Sequence, residues 1–131
     1  MRTLLLVILA LAIGAIAAAQ VTGALRQRDA YPRGVMDVMA EHAGALDQAL
    51  RGRHCATDAT APSFSMLVTM SGEIPLAFPD LMSDKQFAKF AHDAHAFDQQ
   101  VAAHPPRDCP ALRKAFAQIN EHCDQCHRIY R

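Results

Sequence analysis

Apolar residues recur at steps of three and four along most of this chain, the spacing that lines one face of an α-helix. From about Pro32 to Gly52, Met36, Met39, Ala43, Leu46 and Leu50 form one seam, with Pro suited to a first turn and Gly to a C-terminal cap. Arg53 to Pro62 is polar and reads as a connection. A shorter helix is expected from about Pro62 to Ser71, with Phe64, Leu67 and Met70 inward, before Gly72, Pro75 and Pro79 open a loop. Ser83-Asp84-Lys85-Gln86 reads as a capping box. After it, Phe87, Phe90, Ala94, Phe97 and Val101 make a third seam, which Pro105-Pro106 stops. A fourth helix starts around Pro110 and carries Leu112, Phe116, Ile119, Cys123, Cys126 and Tyr130 at alternating steps of four and three. No stretch alternates like a strand. Four helices with one apolar stripe each, joined by short links, predict an all-α, antiparallel up-down-up-down four-helix bundle.

Before the first seam lies a different pattern. Met1-Arg2 is a short positive head, and Thr3 to Ala19 is almost wholly apolar, closing on Ala17-Ala18-Ala19. This is the form of a secretory signal peptide cleaved before Gln20. An uncleaved membrane anchor is the rival reading, since the run reaches the short end of what spans a bilayer. The expected organisation is a signal peptide over residues 1–19 and a single domain over 20–131, exported to the periplasm.

Composition narrows the partners. The 13 basic and 13 acidic residues balance, and neither sign gathers into a patch, so nucleic acid and anionic membrane are poor partners. With no Trp and two Tyr, the chain builds on Ala, Leu, Met and Phe, which favour helix.

The chemistry is concentrated at the C-terminus, in Cys123-Asp124-Gln125-Cys126-His127. Cys-x-x-Cys-His is the attachment signature of c-type haem. Positions i and i+3 of a helix share a face, so both thiols can reach the two vinyl groups of one porphyrin, and the histidine beside them can bind the iron. Export agrees with this reading, because c-type haem is attached outside the cytoplasm in bacteria. The alternatives are a redox-active thiol pair or a zinc site completed by Cys55 and Cys109, although these two lack the close spacing of a second zinc pair. Both motif cysteines fall on the apolar stripe of the last helix, which predicts a haem clamped inside the bundle near one end. Cys55 follows the first helix and Cys109 precedes the fourth, so a bundle brings them to the opposite end. An oxidising compartment permits a disulfide there, with free thiols the alternative. His92 and His95, around Asp93, have the spacing of a metal pair but show no third ligand and read as surface residues. His42, His54, His104 and His122 are assigned no role.

The C-terminal run Cys-Asp-Gln-Cys-His-Arg-Ile-Tyr-Arg resembles the closing motif of the cytochrome c-prime family, the class II c-type cytochromes. Val35 to Gly44, running on to Gly52, is similar to that family's first helix, and Leu112-Arg113-Lys114-Ala115-Phe116 to its last. The middle of the chain is shorter than the family norm, chiefly in the second helix, and only Ile74 to Pro79 is suggestive there. The resemblance implies one covalent haem c, thioether bonds at Cys123 and Cys126, proximal ligation by His127, Arg131 near that histidine and Tyr130 beside the macrocycle. It places Met36 at the distal position. The family's propionate-binding Arg has no direct counterpart, because Pro32 occupies its place; Arg33, one residue on, is the substitute. The implied activity is not enzymatic. If Met36 binds iron, the protein is a low-spin electron carrier for redox partner proteins of the periplasm. If Met36 only packs, an open site for nitric oxide or carbon monoxide results. The resemblance also implies a homodimer through the first two helices.

Overall fold

The protein is described here by a computed structural model covering residues 2–130, with side chains at 7–23 and 30–130. Among the described residues it is all-helical, with α1 at Arg2–Arg51, α2 at Thr57–Ala77, a 3-10 helix at Pro79–Ser83, α3 at Lys85–Ala103 and α4 at Cys109–His127. The chain divides into two compact units, residues 1–33 and 34–131. In the first, Val7, Ile8, Leu11, Ile13 and Ile16 are exposed. Among the described residues no helix is long and apolar enough to cross a membrane.

Several boundaries differ from those the pattern predicts. Helix α1 does not begin at Pro32; it passes through it. A proline removes one backbone donor, and the helix runs on past it to Arg51. At the other end of α1 the left-handed residue is Arg53, at φ 58°, and not Gly52. Arg53 N–H donates to Leu50 O at 3.3 Å and His54 N–H to Ala49 O at 2.9 Å, the paired bonds of a Schellman cap. Gly52 is needed for another reason: a Cβ there would lie 3.1 Å from His54 Nδ1 and 3.3 Å from Gln48 O.

Helix α2 is longer than expected at both ends, taking in Pro62, Gly72 and Pro75. Its buried face is Thr60, Ser63, Phe64, Leu67, Ser71, Ile74 and Ala77. That face keeps helical spacing throughout, and burial of its apolar members offsets the bonds the prolines remove. The polar members hide the pattern from a purely apolar count. The α3 cap is Asp84 alone, whose Oδ1 accepts from Gln86 N at 2.8 Å and Phe87 N at 3.4 Å. Ser83 belongs to the preceding 3-10 helix and donates to Asp80 O. Helix α4 is capped by Asp108, which accepts from Ala111 N at 2.8 Å, with Pro110 in the first turn as expected.

The helices of residues 34–131 pack as a bundle around two apolar clusters. One gathers Leu46, Cys55, Phe64, Leu67, Val101, Leu112, Ala115 and Ile119, with Met39, Leu50, Phe97, Phe116 and Cys123 against it. The other gathers Val35, Ile74, Ala77, Phe87 and Ala91, flanked by Met36, Met39, Met70, Phe78, Met82, Cys126 and Tyr130. Cys55 and Cys109 are joined as a disulfide, with Cα atoms 5.0 Å apart, beside the first cluster.

Candidate functional site

Cys123 and Cys126 lie one turn apart on the last two turns of α4, and both are half-buried free thiols. Cys123 rests against the first cluster and Cys126 against the second, so the pair faces the seam between them. Burial acts on both. It pushes the Cys123 thiol up to about 11, helped by the nearby negative charges of Asp98 and Asp124, and it raises Cys126 as well. Such thiols are protonated at neutral pH, which makes them poor nucleophiles for disulfide exchange. The sulfurs of Cys55 and Cys109 are bonded to each other, so a four-thiolate zinc site is closed to this chain. The pair therefore offers two accessible, uncommitted thiols on one helix face, as attachment to a porphyrin requires.

Met36 packs against the same cluster as Cys126 and Tyr130, together with Met39, Met70 and Met82. The structure thus brings the candidate distal residue of α1 to the apolar cluster that the end of α4 also meets. His127, the last residue of α4, is exposed. Arg33 is exposed on α1 within the unit of residues 1–33, and Arg131 lies outside the described residues.

Tyr130 follows α4 rather than continuing it. Its ring meets Phe87 edge-on at 5.1 Å and Phe90 at 6.5 Å, and Phe87 meets Phe78 at 5.8 Å. The phenol donates to Asp84 Oδ2 at 2.6 Å, tying the C-terminal turn to the cap of α3. That bond holds the Asp84 carboxyl below its ordinary value, with the α3 amides adding to it, and pushes Tyr130 up to about 12. Sequence reasoning missed Asp84 in this role because a 46-residue separation leaves no periodic trace.

The third-helix seam also shifts. Phe87, Ala91, Asp98 and Val101 are its buried members, while Phe90, Ala94 and Phe97 are half-buried. Asp98 is a carboxyl in the core, at 5% exposure. Around it, Ser71 Oγ lies 3.0 Å from His95 Nδ1, and His122 packs its ring 5.4 Å from Phe97. Hence His95 is not the solvated partner of His92 that its spacing suggests. His92 instead stands exposed beside Asp93, which pairs with Lys89. Among the described residues no group of three His, Cys, Asp or Glu could hold a metal ion.

No family model matches the chain, and comparison with curated proteins and with solved structures gives no match either.

Proposed function

We propose that this chain is a mono-haem c-type cytochrome of the c-prime class, exported by a cleaved leader, that carries one electron between redox partner proteins of the periplasm. The observation that carries the reading is the placement of two free thiols one turn apart on α4, of which Cys126 packs against the apolar cluster that Met36 also flanks. Cys123 and Cys126 would hold haem c covalently, His127 would take the proximal side and Met36 the distal side. The bound haem would supply a one-electron iron couple; the protein supplies burial, orientation and a docking surface. His127, exposed at the helix end, is free to turn toward a group seated on the two cysteines.

We infer an up-down-up-down course as part of the same reading. The cluster containing Cys126 is met at the Val35 side of α1, the Ala77 end of α2, the Phe87 end of α3 and the close of α4. The cluster beside the disulfide is met at the Leu46 and Leu50 side of α1, Phe64 and Leu67 of α2, Phe97 and Val101 of α3 and Leu112 to Cys123 of α4. Four methionines at the motif end provide adaptable walls for a planar group.

Those methionines also favour a second reading, in which Met36 packs without ligating and the distal site takes nitric oxide or carbon monoxide. Optical spectra of the oxidised and reduced holoprotein, with its mass, separate the two. A low-spin spectrum and a mass increased by one haem are expected, and Met36→Ala should convert the spectrum to high-spin with rapid carbon monoxide binding. A high-spin wild type would move the assignment to gas binding. A colourless protein of bare peptide mass, from a host competent in cytochrome c maturation, would end both readings.

A further inference from the structure

The turn after α4 is tied down on two sides. The carbonyl of Cys126 accepts from the amides of both Ile129 and Tyr130, at 3.1 and 3.0 Å, so the turn folds back onto the backbone of the second motif cysteine. The Tyr130 phenol then donates to Asp84 Oδ2 at 2.6 Å. The other oxygen, Asp84 Oδ1, is taken by Gln86 N and Phe87 N at the start of α3. One carboxylate therefore caps α3 and clasps the end of α4, with a different oxygen for each task.

The two motif thiols differ in what holds them. Cys123 lies against the cluster of Leu46, Phe64, Leu112 and Ile119, of which Leu112 and Ile119 belong to its own helix. Cys126 lies one turn on, against the cluster that Tyr130 also flanks. After it His127, Arg128 and Ile129 are exposed, and Tyr130 returns the chain to the core, its ring against Phe87 and Phe90. The last turn of a helix leaves carbonyls without intrahelical donors, and helix ends open more readily than helix middles. Tyr130 thus stands between Cys126 and unwinding, whereas Cys123 is anchored a turn further in.

We propose that the hydrogen bond between Asp84 and Tyr130 is a latch on the second motif thiol: closed, it seats Cys126 against its cluster, and open, it releases Cys126 and His127 while Cys123 stays in place. Asp84 is then a positioning residue for the motif, acting across 46 residues through Tyr130. The latch itself needs only the chain with its free thiols; its consequence for haem rests on the cytochrome reading above. In that reading a thioether forms when a thiol adds across a vinyl group. Sulfur bonds one vinyl carbon and the thiol proton passes to the other, with no oxidant consumed. An open latch presents Cys126 to the vinyl group, and closure returns the turn that carries His127.

The test is the alkylation rate of each thiol in the full-length chain. Iodoacetamide is the probe, mass mapping separates Cys123 from Cys126, and each thiol is compared with itself in the wild type. Tyr130→Phe keeps the ring and removes the bond. Asp84→Ser keeps an N-cap for α3 but is too short to reach the phenol. Either variant should speed Cys126 severalfold and leave Cys123 unchanged. The double variant should be no faster than the singles, as two partners in one bond require.

Equal acceleration of both thiols would mean general loosening and overturn the proposal, as would an unchanged Cys126 or effects that multiply. Should Asp84→Ser not fold, Tyr130→Phe alone decides. In the holoprotein, hydrogen exchange reads the same latch: Tyr130→Phe should speed the amides of residues 129 and 130 severalfold and leave those of Leu112 and Ile119 as they were. Unchanged exchange at 129 and 130 overturns the latch. A colourless protein that passes the thiol test would end the cytochrome reading and keep the latch; a haem protein that fails the exchange test would do the reverse.

Discussion

Single side chains at two chain reversals carry measurable consequences. Arg53 adopts φ 58°, where a Cβ crowds the following carbonyl, in a cap whose geometry asks for glycine. Arg53→Gly should therefore raise stability by up to about 1 kcal/mol, partly offset by the freer unfolded chain, and urea denaturation would measure it. Gly52→Ala should do the reverse, since its Cβ would press on Gln48 O. At the other reversal, Tyr130 and Asp84 set the pH limits of the C-terminal turn. Asp84 is depressed in the fold, chiefly by Tyr130, so its contribution is present above the unfolded value of 3.8 and lost as pH falls below it. Tyr130 is raised, so its contribution is complete below its ordinary value of 10.0 and lost as pH climbs toward about 12. Tyr130→Phe keeps the ring contacts with Phe87 and Phe90. It should remove the alkaline loss altogether and weaken the acid one, which melting temperatures at pH 3, 7 and 11 would show.

Elements were readable where apolar residues alone define the buried face. Helix α4 follows its predicted stripe through Leu112, Ile119 and Cys123, and its proline and cap fall in the first turn. Helix α2 was legible only in its middle, because Thr60 and Ser71 occupy core positions. Each satisfies its hydroxyl within the helix, Thr60 on Ala56 O at 3.3 Å and Ser71 on Val68 O at 3.2 Å. An apolar count stops at both, although the three-four spacing continues. Gly72 and Pro75 then mislead in the same direction, since local propensity yields to tertiary burial of Ile74 and Ala77. The α3 seam erred for a related reason. Phe90 and Phe97 are half-buried, with Phe97 packed against the first cluster, while the fully buried line passes through Ala91 and Asp98. A carboxylate on a line of alanines reads as solvent-facing, yet Asp98 is 5% exposed. The site divides the same way: a local spacing rule finds Cys123, Cys126 and His127, while the surroundings that tune them come from distant segments.

At the scale of the molecule, the two ends of the helical unit are built from different materials. The disulfide end is packed with Leu46, Phe64, Leu67 and Leu112, each at or below 1% exposure. The other cluster is flanked by four methionines, one of them shared with the first, and by the free thiol of Cys126. Aliphatic and aromatic side chains with few rotamers fix a shape, whereas methionine adapts to what is placed against it. If the protein holds haem as proposed, a division of labour follows: one end holds the helices in register so that the other could receive a large planar group. The bond between Cys55 and Cys109 spans 54 residues and belongs to the first task. Closing a loop of that length should contribute about 2–4 kcal/mol by restricting the unfolded chain. The double variant Cys55→Ala/Cys109→Ala should lose that much in denaturant titration. If the ends are as separate as their composition implies, its haem spectrum and potential should match the wild type's. A changed spectrum would mean that the disulfide end shapes the motif end as well, and the division would fail.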